Sequence, residues 1–388
     1  NDTATTDIFT LPLHDALPIW LSIWRGDVSN MKKKFFASLM AMVMVFGLAA
    51  CGGSSEPAAE GDTAEGGAGG KIGVSMPTQS LQRWNQDGSN MKAELEAAGY
   101  EVDLQYAGDN DIPTQVSQIE NMIAGGCEVL VVAAIDGSSL TTALQGAAEK
   151  GIPVIAYDRL IMDSEAVSYY ATFDNYKVGQ MQGQYIVDAL DLENAEGPFN
   201  IELVTGAPDD NNVNFFFGGA MDVLQPYIDS GKLVVPSGQT EKAQCATANW
   251  STEEAQKRFE NIISSVGYGP NGVKLDAVLC SNDSTSYGVQ NALQAAGYTA
   301  DNMPIITGQD CDKPNVKNIV SGLQSMSVFK DTRTLAEKVV GMVDAIMKGT
   351  EPEINDTETY DNGTDRKSTR LNSSHPSISY AVICLKKK

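Results

Sequence analysis

The chain has 388 residues, a length that suits two domains better than one. Its 27 basic residues stand against 50 acidic ones, a net charge of −23, and an acidic balance this strong excludes a protein whose main partner is nucleic acid. Both histidines, His14 and His375, lie near the ends, so residues 51–364 have no side chain whose ordinary pKa falls between pH 6 and 8, and binding there is expected to be flat across that window.

Residues 1–30 show neither period nor turn chemistry. "TLPLHDALPI" (10–19) reads as translated sequencing-library adapter, with 20–30 as translated leader. At Met31 a new pattern begins. Three lysines precede an apolar run that closes on Leu48-Ala49-Ala50, the layout of a secretory signal over 31–50. Cys51 follows at the place where a bacterial lipobox puts its lipidated thiol, so the protein is expected to be exported and lipid-anchored to the outer face of the cell membrane. A single membrane-spanning helix is the rival reading, but the run is short and ends in small residues. Residues 51–70 are Gly, Ala, Ser and acidic residues without period, a flexible tether.

From Lys71 short β-branched runs alternate with amphipathic stretches. Strands are expected at 71–76, 101–107, 129–135 and 153–157, with helices over 85–99, 112–126 and 138–151. In 114–126, Val116, Ile119, Met122 and Ile123 share one helical face, and Gly125-Gly126 stop it. A second series follows, with strands at 200–206, 232–238, 276–281, 303–308 and 325–329. Its helices fall near 212–227, 252–265, 284–297, 313–322 and 332–348. Alternation of this kind implies βαβ units, and two series imply an α/β protein of two doubly wound parallel-sheet domains. Beyond Thr364, "DRKSTRLNSSH" (365–375) again reads as adapter. Residues 365–388 are therefore expected to be non-native, and poor substitutes for a packed terminal element.

In open parallel sheets ligands sit beyond the carboxyl ends of the strands. The polar and aromatic residues placed there are Arg83 and Trp84, Asp158 and Arg159, Asp210, Asn211 and Asn212, Trp250, Asn282 and Asp283, Gln309 and Asp310, and Lys330. Forked cations, carboxylates and amides can answer the hydroxyls of a neutral polyol, and flat rings can cover its C–H faces. No nucleophile–base pair stands out. Bland roles compete: Asp283 reads as a helix N-cap, Asp158 and Arg159 as a surface ion pair, Lys330 as solvated, and either tryptophan as core. A dinucleotide-dependent oxidoreductase would need G-x-G-x-x-G after the first strand, where "GVSMPTQ" stands. Cys127, Cys245, Cys280 and Cys311 lack C-x-x-C spacing. Asp109, Asp111 and Glu120 fit part of a calcium-loop frame, but Thr114 occupies the glycine position. Neither metal nor cofactor is expected. Export permits a disulfide, and Cys280 with Cys311 is one open pairing.

"RW" (83–84), "AYDRLI" (156–161), "SYYATFDNYKVGQMQ" (168–182), "DDNN" (209–212), "SND" (281–283), "TGQDCD" (307–312) and "SVFKDT" (327–332) together resemble the periplasmic sugar-binding proteins of ABC importers, above all the xylose-binding and multiple-sugar-binding group. The resemblance implies two doubly wound domains joined by a three-stranded hinge. Residues 71–173 and 331–352 would form one domain; 174–330 and 353–364 would form the other. It implies a monosaccharide of the xylose, arabinose, glucose or galactose type in the cleft, held by Arg83, Trp84, Asp158, Arg159, Asp210, Asn212, Trp250, Asn282, Asp310 and Lys330. It also implies a permease and ATPase as partners, with the membrane reached through the lipid on Cys51. A sensor subunit that presents its sugar to a receptor or histidine kinase would carry the same binding residues.

Overall fold

The computed structural model describes residues 69–356, 359–364, 372–374 and 381–384. The leader, the signal segment, Cys51 and most of the tether lie outside the described residues, as does most of 365–388. The first series runs β1 (Lys71–Met76), α1 (Gln82–Ala97), β2 (Glu101–Tyr106), α2 (Ile112–Ala124), β3 (Val129–Val132), α3 (Thr141–Glu149), β4 (Val154–Tyr157) and β5 (Val167–Ala171). These strands pair in parallel in the order β5-β4-β3-β1-β2. Both faces are covered, which is why the strands read as nearly continuous apolar runs. Ile72, Val74, Val129 and Val131 face Met91 and Leu95 of α1. Leu130 and Val132 face Ile119 and Met122 of α2 and Leu144 of α3.

The chain then passes to a second sheet through α4 (Asn175–Ala189), β6 (Phe199–Val204), α5 (Asn212–Asp229), β7 (Leu233–Val234), α6 (Lys242–Cys245), α7 (Thr252–Val266), β8 (Ala277–Cys280), α8 (Asp283–Ala295), β9 (Ile305–Ile306), α9 (Lys313–Ser321) and β10 (Met326–Phe329). Here the parallel order is β7-β6-β8-β9, and Gln309 bridges onto Val328 of β10. α10 (Thr332–Met347) returns to the first sheet, where Leu335, Val339 and Val343 pack with Met91 and Leu95. Glycines let α4 and α5 meet closely: a Cβ on Gly179 would strike the Phe216 carbonyl, and one on Gly219 the Tyr176 carbonyl.

Several helix starts follow sequence chemistry. The Asp111 side chain accepts from the Thr114 N–H at 3.1 Å with Pro113 in the first turn, so Asp111 serves as a cap. Asp174 and Ser251 cap α4 and α7 in the same way. β5 and α4 were not expected as elements, although "SYYATFDNYKVGQMQ" covers most of both. At 232–238 only a two-residue strand forms, on a sheet edge.

Residues 353–364 were expected to belong with the second sheet. They pack on the first instead. Ile354 lies against the α1–α10 core, Tyr360 stacks edge-on to Tyr170 with ring centroids 5.0 Å apart, and Asn362 donates to the Ser164 carbonyl. Tyr360 also touches Phe215 of α5, at 5.2 Å between centroids. The apolar side chains at 354 and 360 find their burial on the first lobe, and this anchors the strap. Past Thr364, β11 (Asn372–Ser374) pairs in parallel with β5, and β12 (Ala381–Cys384) pairs antiparallel with β10. The tail was expected to supply no terminal element; in the structure β11 lies on an edge of the first sheet, and β12 and β10 form a two-stranded sheet of their own.

Candidate binding cleft

The strand ends of the two sheets converge. Arg83 and Trp84 come from the first turn of α1, just after β1, and Asp158 and Arg159 follow β4. Asp210 and Asn212 follow β6, Asn282 follows β8, Asp310 follows β9 and Lys330 follows β10. Trp250 ends a 3₁₀ turn ahead of α7. All ten line a single cavity, together with Leu81, Phe216, Ser284, Gln309 and Asp312. Its volume is about 30 Å³, room for about two water molecules.

The charged groups in it are paired. Arg83 donates through Nη2 to Asp158 at 2.6 Å, through Nη1 to Asp310 at 3.3 Å, and through Nε to Asp87 at 3.0 Å. Lys330 Nζ lies 3.3 Å from the same Asp310 oxygen. Arg159 donates through Nη1 to the carbonyls of Ala134 and Ile135, at 3.0 and 3.1 Å. Its Nε is 3.0 Å from Asp210 Oδ2, aligned as an ion pair but not as a hydrogen bond, which leaves that N–H without an acceptor. Asp210 accepts instead from Trp250 Nε1 at 3.0 Å. Three cations, Arg83, Arg159 and Lys330, thus face the carboxylates Asp158, Asp210 and Asp310, and a fourth carboxyl, Asp312, also lines the cavity. The arrangement offers many donors and acceptors and no surplus of cations for an anionic ligand.

Burial and neighbours tune these groups. Burial pushes the Asp158 carboxyl up, but Arg83, Lys330 and Arg159 outweigh it and hold the carboxyl below its ordinary range. Burial would lower Arg83, yet Asp158, Asp87 and Asp310 hold it well above its usual value. Asp312 is pushed up to about 7 by burial and by the neighbouring Asp310 charge. A carboxyl thus falls in the window that the residue types alone left empty. A carboxylate raised in the folded state contributes stability that is complete below its unfolded pKa and lost as pH rises through about 7. Asp312→Asn should therefore raise the melting temperature of the ligand-free protein more at pH 8 than at pH 5. An equal shift at both, in thermal melts, would show that Asp312 does not titrate there.

The bland alternatives are resolved residue by residue. Asp158 and Arg159 are buried and pair with Arg83 and Asp210, not with each other. Lys330 is 3% exposed. The α8 cap is Asn282, whose side chain accepts from the Thr285 N–H at 3.0 Å. Asp283 is not the cap; it sits fully buried one residue on, accepting from Gln324, Ser327 and the Asp312 N–H. Cys280 and Cys311 are both free thiols. Trp84 is neither in a loop nor simply core: it belongs to the α1–α10 cluster and lines the cavity as well. The Arg83 and Arg159 guanidiniums lie 5.3 and 5.0 Å from the centre of its ring.

The residues absent from the expected set carried faint signals. Phe216 is one helical turn beyond Asn212 and meets Trp250 edge-on at 6.0 Å. Gln309 was among the strand-end residues but not in the binding set; its buried Oε1 has no hydrogen-bond partner. Several cavity residues hold left-handed backbone, with φ of 58° at Asp158, 57° at Trp250 and 94° at Asp310, a strain concentrated where side chains must be aimed. Gly206 gives the Trp250 ring its seat, since a Cβ there would occupy the space of the indole. Gly206→Ala should displace Trp250. Loss of cleft ligand affinity together with a changed Trp250 emission is the expected result, and unchanged values for both would show that the ring has another place to go.

Two parallel sheets facing each other across a polar cleft at their carboxyl ends define a binding protein of the two-lobed type. The chain belongs to the periplasmic binding protein family, whose domain pattern matches residues 72–351. A multiple sugar-binding periplasmic receptor of Rhizobium radiobacter is 52% identical over 296 residues, 76% of this chain and 82% of the relative. A D-xylose-binding periplasmic protein of Escherichia coli is 38% identical over 301 residues, 78% and 84% of the two chains. An ABC transporter solute-binding protein of Clostridium phytofermentans, solved with bound β-D-glucose, shares 61% identity at a TM-score of 0.76, over 81% of this chain and 94% of that one. The relatives are binding proteins and not enzymes, and so is this chain.

Proposed function

We propose that the protein is an exported solute-binding lipoprotein that captures a neutral monosaccharide in the cleft and delivers it to an ABC importer. The observation that carries the reading is the convergence of ten polar and aromatic residues, with the three cations each beside a carboxylate and two indoles present, on one cavity. The relative at 61% identity supports D-glucose as a first ligand, and the E. coli relative supports D-xylose. In this reading Arg83, Arg159, Lys330 and Asn212 donate to sugar oxygens, Asp158, Asp210 and Asp310 accept from hydroxyls, and Trp84 and Trp250 pack on the C–H faces. Residues 71–173 with 331–352 form one lobe and 174–330 the other. The cavity is smaller than a pyranose, so the lobes open about the connections after β5 and β10 to admit one. Anchorage through Cys51 is part of the same proposal, and Cys51→Ser should abolish incorporation of labelled palmitate.

Calorimetry with D-glucose, D-xylose, L-arabinose and D-galactose tests the reading, with micromolar or tighter affinity expected for at least one. Binding of an amino acid or nucleoside in place of every aldose would overturn it. A second reading, presentation of the sugar to a membrane receptor, draws support from the Rhizobium relative, itself a receptor. Permease and ATPase genes beside this one would favour delivery, and a histidine kinase gene would favour sensing.

A further inference from the structure

We propose that Asp87 is a positioning residue for ligand binding: it lies beneath the cleft and fixes the Arg83 guanidinium so that both Nη groups face the ligand space. The proposal rests on the reading of the cleft as a sugar site. Asp87 sits one turn after Arg83 on α1, is fully buried, and is not among the residues that line the cavity. Its Oδ2 accepts from Arg83 Nε at 3.0 Å. A guanidinium presents its N–H groups in one rigid plane, so tying the Nε edge from below sets the direction of the other two nitrogens. Those reach Asp158 on the first lobe and Asp310 on the second. Arg83 therefore spans the cleft, and the lobe-one end of that span is held from behind by Asp87.

Asp87 has room to respond to its proton. Its buried Oδ1 has the buried Tyr157 hydroxyl as a neighbour, close enough for the carboxylate to raise the hydroxyl's hold on its proton. The groups that face it are Arg83 on its own helix, Tyr106 at the end of β2, Tyr157 and Asp158 at the end of β4, Asp310 after β9 and Lys330 after β10. Burial pushes its carboxyl up to about 6, against the pull of Arg83. When the carboxylate gains a proton the charged tie on Nε is lost, and the fork is held only by its Nη contacts to Asp158 and Asp310.

Asp87→Asn keeps the shape and removes the charge, so it stands for the protonated state. The test measures D-glucose affinity by calorimetry at pH 5, 6, 7 and 8 for the wild type and for Asp87→Asn, and takes the ratio at each pH. Titrations elsewhere, Asp312 included, are common to both proteins and cancel. The variant is expected to bind about tenfold more weakly at pH 8 and equally at pH 5. A ratio near one throughout, or a ratio that does not change with pH, overturns the proposal. Should the wild type bind no sugar at all, the proposed function falls alone, and nitrogen-15 NMR of the ligand-free protein decides the role of Asp87. Relative to a free guanidinium at the same pH, the Arg83 Nε–H should then be strongly protected from exchange in the wild type at pH 8, and less protected both in Asp87→Asn and in the wild type below pH 6. Equal protection under all three conditions overturns the proposal, and the wild-type pH series gives this answer even if the variant fails to fold.

Discussion

Arg83→Met is expected to cost roughly 3–5 kcal/mol of folding stability, the range for leaving a buried charge without its partner. The cation is shared by three carboxylates, Asp87 and Asp158 on the first lobe and Asp310 on the second. Asp310 keeps Lys330 and loses least. Asp87 is fully buried, and Arg83 makes its one ion pair among the described residues. A loss of this size is a large part of the 5–15 kcal/mol that holds a typical protein folded. It should be smaller at pH 5 than at pH 8, because the stranded carboxylates escape part of the penalty by taking up protons. Adding Asp87→Leu to Arg83→Met should recover part of it, since an apolar pair of similar volume avoids the desolvation of either charge. Urea unfolding of the three proteins at both pH values measures this. A loss under 1 kcal/mol for the single variant would mean that water reaches the pair.

Trp84→Ala should lower both stability and affinity. A ring that stood in a loop and served the ligand alone would cost binding more than folding. The structure places it on α1, 3% exposed, packed in the α1–α10 core on one side and against the cleft on the other. Truncating a buried tryptophan to alanine costs about 3–5 kcal/mol. The two guanidiniums over the ring also lose a cation–π contact worth about 0.5–2 kcal/mol each. For the fraction that remains folded, removing a stacking surface and its apolar contact should weaken sugar binding about a hundredfold. Apo melting and calorimetry on the same variant separate the roles. Unchanged affinity with a lowered melt would leave Trp84 as core alone, whereas an unchanged melt would contradict its burial.

The residues that line the cavity could be read from the sequence because a parallel sheet delivers every strand end to the same side. With strands at 71–76, 153–157, 200–206, 276–281, 303–308 and 325–329, the residues just beyond them have to meet, whatever the details of packing. Phe216 escaped because it lies inside a helix, not at a strand end, and reaches the cavity only through the direction in which α5 points. Asp87 escaped for the same reason: a carboxylate at i+4 on a helix reads as a surface pair until the helix is seen to bury that face.

Local pattern by itself determined the alternation of strands and helices, the pairing of the strands in parallel, and the set of side chains offered to a ligand, because each of these follows from period and chain direction. Which charge meets which was decided only by the tertiary structure. Arg83 and Asp310 are 227 residues apart in the chain and belong to different lobes, and no spacing rule relates them. The same holds for the carboxyls of Asp87 and Asp312, whose upward shifts come from burial between elements remote in sequence. The path of residues 353–364 was another such matter. Ile354 and Tyr360 had apolar surface to cover, and only the folded molecule shows that the first lobe covers it. Coulomb energy and desolvation depend on distance and on exclusion of water, and the chain acquires both only when its two sheets have closed on each other.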